Sequence, residues 1–135
     1  PEYERGLVMK ILAFEDSFDI EALLISASVD MSSIEFKQLW NTENWLQEIN
    51  QFMPDVLLLD HFIPPTKGLE VLQMLNLEVH HSRAQRPEKI IAMSSSSMAN
   101  QRMLQFGADI GIVKMDLATL DIWPKDTGHP NVTPL

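Results

Sequence analysis

Cysteine is absent from the 135 residues, which removes disulfides, thiolate metal sites and cysteine nucleophiles together. That absence fits a reducing cytosol. No apolar run approaches the ~20 residues a membrane-spanning helix needs, and no signal peptide is visible, so a cytoplasmic protein with no membrane contact is expected. Basic charge is scarce as well: 10 Lys and Arg stand against 19 Asp and Glu, for a net charge of −9. Nucleic-acid binding needs a Lys/Arg face to neutralise phosphates; no basic stripe is found, and no nucleic-acid partner is expected. An acidic surface favours solubility and, more weakly, partners that carry basic patches.

What remains is material for one globular domain. The chain is long enough to bury a core, and its 45% hydrophobic and 21% charged residues are ordinary for one. Apolar runs alternate with helical patterns as far as Lys114. Val8 to Phe14 reads as a first strand, and Ile20, Leu23, Leu24 and Ala27 recur at helical spacing behind a candidate N-cap, Ser17. Ile34 to Trp40 is rich in β-branched and aromatic residues and reads as a second strand. Thr42 is placed to cap a helix carrying Trp45, Leu46 and Ile49. Asp55-Val56-Leu57-Leu58-Leu59-Asp60 is the clearest strand, with the unbroken apolar centre of a parallel strand covered on both faces. Pro64 and Pro65 open the next loop, before a helix with Leu69, Val71, Leu72 and Leu75 and a polar connector from His80 to Glu88. Ile90 to Met93 is a fourth strand ending in four serines, Met98 to Phe106 a helix stopped by Gly107, and Ile110 to Lys114 a fifth strand. No internal repeat is present. Such alternation implies an α/β fold with a doubly wound, five-stranded parallel sheet and right-handed crossovers.

Ligands in such folds bind outside the carboxyl ends of the strands. Those ends carry Glu15 and Asp16, Asp60, Ser94 and Lys114. Three carboxylates so close repel each other unless a cation intervenes, and Mg²⁺, a hard ion that takes carboxylate, water and phosphate oxygens, is the natural cofactor. Lys114 can cancel further negative charge, and Ser94 can donate to an incoming oxyanion. A nucleophile, a metal and donors for equatorial oxygens together make a phosphoryl-transfer site.

At these residues the sequence resembles the receiver domain of two-component response regulators. The acidic pair after strand one is matched by Phe14-Glu15-Asp16-Ser17, and the phosphoacceptor loop by Asp60-His61-Phe62-Ile63-Pro64-Pro65-Thr66-Lys67-Gly68. The Ser/Thr after strand four is matched by Ser94, and Gly-Ala-Asp leading to lysine by Gly107-Ala108-Asp109 through Lys114. Each fragment alone is weak; in this order and spacing, over about Met9 to Met115, they are strong. The resemblance implies a flavodoxin-like receiver fold with strand order 2-1-3-4-5. It makes Asp60 the residue that becomes an aspartyl phosphate. Glu15, Asp16, Asp60 and the backbone carbonyl of Phe62 are the implied Mg²⁺ ligands, and Ser94 and Lys114 contact the phosphoryl group. It also implies a phosphoacceptor signalling domain rather than an enzyme in its own right, one that promotes its own phosphorylation and slow dephosphorylation. The implied donor is a histidine kinase or a histidine phosphotransfer protein. Phe62 and Ser96 stand where family members tune aspartyl-phosphate hydrolysis, and an apolar Phe62 predicts a long-lived phosphorylated state.

The chain departs from the pattern in three places. Met115 replaces the usual proline after the lysine, and Gly111 replaces the aromatic switch residue three positions before it. The fifth helix is expected to be short or missing, because Asp116 to Trp123 offers few apolar positions before Pro124. A single receiver domain over 1–123 and a flexible tail over 124–135 are therefore expected. Loss of that helix would bare one edge of the core, which predicts a homodimer or a permanent partner on the face of helix four and strand five; otherwise a short helix and the tail cover it. With no effector domain following, output is expected through a downstream protein partner.

Other residues read more simply. His61, and the adjacent His80 and His81, are expected to be solvated rather than metal-bound, Ser97 to cap the fourth helix, and Trp40 and Trp45 to pack. The alternative function is a pseudo-receiver, an interaction module that works without phosphorylation. A metal-dependent phosphohydrolase is disfavoured, since no second acid lies two residues after Asp60.

Overall fold

A computed structural model describes residues 8–125. The elements run β1 (Met9–Phe14), α1 (Ile20–Ser26), a 3-10 turn (Met31–Ser33), β2 (Ile34–Leu39), α2 (Trp45–Phe52), β3 (Val56–Leu59), α3 (Gly68–His80), β4 (Lys89–Ala92), α4 (Ser97–Gln105), β5 (Ile110–Gly111) and a 3-10 helix (Lys114–Thr119). The strands form one five-stranded sheet in the order β2-β1-β3-β4-β5, every pair parallel, as the sequence predicts.

Successive side chains of a strand point to opposite faces, and each face builds its own core. Ile11, Ala13, Val56, Leu58 and Ile91 meet Ile20 and Leu24 of α1 on one side. Leu12, Phe14, Leu57, Leu59 and Ile90 meet Ile49 of α2, Val71, Leu72 and Leu75 of α3 and Met103 of α4 on the other. That is why Val56–Leu59 has no polar position: all of it is buried between two helical layers.

As expected, the last helical element of the described residues is short, a 3-10 helix rather than a full fifth α-helix. The six-residue 3-10 helix puts Leu117 and Ala118 onto the α1 face, and Trp123 folds back beside them, its Nε1 donating to the Leu117 carbonyl at 3.0 Å. Pro124 and Lys125 then run along Val29 and Asp30, through an Asp30 amide bond to the Pro124 carbonyl at 2.8 Å and a bridge between Val29 and Lys125. These residues cover the edge that a missing helix would bare, so the core does not require a partner there. Of the expected tail, residues 126–135 lie outside the described residues.

Local details differ from the sequence-based expectations in instructive ways. Asp19, not Ser17, caps α1, accepting from the Ala22 amide at 3.0 Å. Ser96, not Ser97, caps α4. Thr42 caps nothing and is buried between loops, while α2 begins at Asn44 without a side-chain cap. Trp40 is exposed, whereas Trp45 packs on the core. The helix stop at Gly107 holds, with a φ of 105° that only glycine adopts freely. Among the described residues no helix is long and apolar enough to cross a membrane.

Candidate functional site

The strand register sets the site. Beyond the last paired residues the ladder continues by one bond each: Glu15 N–H to Leu39 O, Asp60 N–H to Phe14 O, Met93 N–H to Leu59 O and Ile112 N–H to Ala92 O, at 2.9–3.1 Å. Glu15 and Asp60 therefore leave the sheet at the same height on adjacent central strands, and Ser94 and Lys114 follow on the next two.

Glu15, Asp16 and Asp60 each bring a carboxylate oxygen within 4.8 Å of the others. Glu15 and Asp60 are buried, at 0% and 3% exposure, while Asp16 closes the cluster on the solvent side. The Lys114 ammonium, itself buried, lies 2.9 Å from Oε1 and 3.0 Å from Oε2 of Glu15 and 4.0 Å from Oδ2 of Asp60. Its hydrogen bond goes to Oε2, which also accepts from the amide and the hydroxyl of Ser17, both at 2.9 Å. Oε1 is buried with positive charge beside it but with no donor aimed at it.

Burial raises the pKa of Asp60, and the neighbouring Glu15 raises it further; Lys114 and the amides of His61 and Phe62 pull the other way. A second buried carboxylate, one of whose oxygens has no directed donor among the described residues, and a third within reach form a set that a hard divalent cation relieves. The residues present thus fit Mg²⁺. The Phe62 carbonyl, the remaining expected ligand, accepts no hydrogen bond among the described residues.

The loop after Asp60 is fixed in detail. Its Pro64–Pro65 bond is cis. Gly68 starts α3 directly against the Asp60 backbone, where a Cβ would run into the Asp60 carbonyl oxygen and come within 2.9 Å of the His61 Cα. His61 is half-buried; its Nδ1 accepts from the Leu69 amide at 3.3 Å, and burial, with Lys67 nearby, lowers its pKa. It therefore serves as a brace of α3, a role its sequence position did not signal. Phe62 is 55% exposed, its ring edge-on to His61.

Ser94 is fully buried at the end of β4; its hydroxyl accepts from the Ser96 amide at 3.0 Å and keeps its own proton to donate. Three positioning residues carried no motif. Gln38 on β2 holds the loop after β1 through the Glu15 and Phe18 carbonyls (2.9 and 2.7 Å) and the Ile20 amide (3.0 Å). Thr42 ties the end of β2 to the loop after Asp60, its hydroxyl donating to Thr66 O at 2.7 Å and accepting from Thr66 N–H at 2.8 Å. Asn100 is buried in α4 with its amide on Ser94. A signal existed only for Gln38, a polar residue among β-formers.

Among solved structures, the BeF3-activated receiver domain of Klebsiella pneumoniae RstA is 26% identical, covers 78% of this chain and 85% of its own, and gives a TM-score of 0.58. The Vibrio cholerae chemotaxis protein CheY4 is 20% identical, covering 83% and 95%, with a TM-score of 0.60. A Francisella response-regulator receiver domain is 20% identical, covering 82% and 91%, with a TM-score of 0.62.

The chain has the receiver-domain fold.

No protein-family model and no curated protein matches the sequence. Gly111 on β5 is closely packed. A Cβ there would stand 3.1 Å from Leu104 Cδ1 and 3.3 Å from Asn100 Cβ. Helix α4 occupies the space that a side chain on β5 would need.

Proposed function

We propose that this chain is a response-regulator receiver that accepts a phosphoryl group on Asp60 from a histidine kinase or a histidine phosphotransfer protein in the cytosol, and signals by protein contact. The observation that carries the reading is the buried Glu15–Asp60 pair, closed by Asp16 within 4.8 Å and flanked by the Lys114 ammonium 4.0 Å from Asp60. In this reading an Asp60 oxygen attacks phosphorus while the P–N bond of the donor phosphohistidine breaks. The bonding pair returns to the imidazole, which takes up a proton, and an acyl phosphate remains on Asp60. Glu15, Asp16, Asp60 and the Phe62 carbonyl would hold Mg²⁺, which when bound supplies positive charge to the phosphoryl oxygens. Lys114 adds a second positive charge on the other side, and Ser94 donates its free hydroxyl proton to a phosphoryl oxygen. Phosphorylation replaces the single negative charge of Asp60 with an acyl phosphate of about −1.5 to −2 in a site already acidic, which is tolerated only if these groups close on it.

The signalling unit in this reading spans 1–123, with 124–135 as a tail. Its output face is α4 with β5, flanked by Met98 at 82% and Met115 at 60% exposure. A second copy or a downstream protein would dock there.

Incubation of the chain with acetyl phosphate and Mg²⁺, read by intact mass, tests the proposal, with Asp60→Asn as control. One added phosphoryl group that disappears in the control is expected. No addition in the presence of Mg²⁺ would leave an interaction module that works without phosphorylation.

A further inference from the structure

The side chain of Asn100 has no part in the chemistry above, yet it is 3% exposed and fully engaged. Its Oδ1 accepts from the Ser94 amide at 2.8 Å, and its Nδ2 donates to the Ser94 carbonyl and to the Ile112 carbonyl, both at 2.9 Å. One amide thus holds both backbone groups of the site serine and the strand that leads, two residues later, to Lys114. Its backbone belongs to α4, which lies tight on Gly111. An amide that bonds both the N–H and the C=O of one residue follows that residue as a rigid unit or loses both bonds in a water-poor interior.

We propose that Asn100 is the positioning residue that sets Ser94 for a phosphoryl group on Asp60 and carries the displacement of Ser94 into α4 and β5. The inference rests on the receiver reading and deepens it. A receiver with an aromatic side chain on β5 can transmit by rotating that ring; here the position is Gly111. The link runs instead through a polar staple. When Ser94 moves toward the phosphoryl oxygens, Asn100 draws the first turns of α4 with it, and the bond to Ile112 passes the motion to β5. The surface that moves includes the exposed Met98.

The test uses the full chain, ¹⁵N-labelled, with acetyl phosphate and Mg²⁺; intact mass reads uptake and amide spectra read movement. In the unsubstituted chain, phosphorylation is expected to shift the amides of Ser94, of α4 and of Ile112 together. In Asn100→Ala, uptake on Asp60 still occurs but is slowed, because Ser94 is no longer held; the Ser94 amide still shifts on uptake, while the shifts of α4 and Ile112 are lost. A purely structural role would destabilise the protein without separating these two sets of shifts. Wild-type-like shifts of α4 in phosphorylated Asn100→Ala would overturn the proposal. Should Asn100→Ala fail to fold, Gly111→Ala keeps all three bonds while its methyl presses on Asn100 and Leu104. Without phosphate it is expected to shift Ser94 and α4 amides together, and movement of α4 with Ser94 unmoved would overturn the proposal. No uptake by the unsubstituted chain would instead refute the receiver reading, and this inference with it; uptake with uncoupled shifts refutes the inference alone.

Discussion

Replacing Asp60 with asparagine, in protein freed of divalent ions by a chelator, is expected to make the fold more stable, although the substitution destroys the proposed phosphoacceptor. Lys114 at 4.0 Å attracts a charge on Asp60 by about 4 kcal/mol at an effective dielectric constant of ~20, and a Glu15 oxygen within 4.8 Å repels it by about 3.5 kcal/mol. The two nearly cancel. What remains is the cost of burying a carboxylate at 3% exposure, several kcal/mol, partly returned by the adjacent amides of His61 and Phe62. A neutral side chain of the same shape should therefore gain about 1–2 kcal/mol, or roughly 4–8 °C in Tm for a domain of this size. The sign with pH follows from the raised pKa of folded Asp60. Its penalty is complete above the folded pKa and is relieved as pH falls toward the unfolded carboxylate value of about 3.9, so the gap between the variants should narrow on acidification. Urea unfolding in EDTA across this range measures it. Adding Mg²⁺ at about 100 times its Kd should stabilise the unsubstituted protein by about 2.7 kcal/mol and Asp60→Asn by much less. Asp60→Asn no more stable than the unsubstituted chain in EDTA, or a gap that widens in acid, would refute this account of the site.

Three further outcomes are expected. Trp123→Ala should cost about 3–5 kcal/mol in urea unfolding, since the indole closes the α1 face in place of a helix; a loss below about 1 kcal/mol would show that the core does not depend on it. Gly68→Ala should destabilise by at least about 1–3 kcal/mol and abolish uptake of phosphate from acetyl phosphate, because its methyl would meet the Asp60 carbonyl; normal uptake would contradict that packing. Phe62→Asn should shorten the acyl-phosphate lifetime roughly tenfold in a radiolabel decay assay, by placing a polar group where a water can be held. An unchanged decay would remove Phe62 from the control of hydrolysis.

The sheet was readable from the sequence because it is written in strong local signals. Val56–Leu59 has no polar residue, and every crossover carries a helical period, so the doubly wound parallel sheet and the carboxyl-end site followed from general rules, while the strand order came from the resemblance to receiver domains. Caps were less readable. Ser17 and Thr42 are good capping types, but Glu15 claims the first and the Thr66 backbone the second. Glu15 is a neighbour two residues back, whereas Thr66 is 24 residues away and leaves no local pattern. The C-terminal closure was half readable: too few apolar positions for a helix were evident, but the return of Trp123 onto Leu117 depends on a contact between unlike segments. Asn100 was invisible for the same reason, and Gln38 stood out only as a polar residue among β-formers. Their roles lie in bonds to backbone groups, and backbone groups leave no mark in a sequence.

The fastening of the loop after Asp60 has a mechanical consequence. Gly68 seats α3 on the Asp60 backbone, the Leu69 amide is pinned to His61, and Thr42 rivets the far end of the loop to the β2 side. That half of the site has little slack. On the other side, Ser94 follows β4 and Lys114 follows β5, a strand of two paired residues at the edge of the sheet. A force generated between the halves, such as new charge on Asp60 pulling its neighbours inward, will be taken up where the stiffness is lowest. The molecule behaves as a clamp with one fixed jaw, and its travel is directed toward the β5 edge.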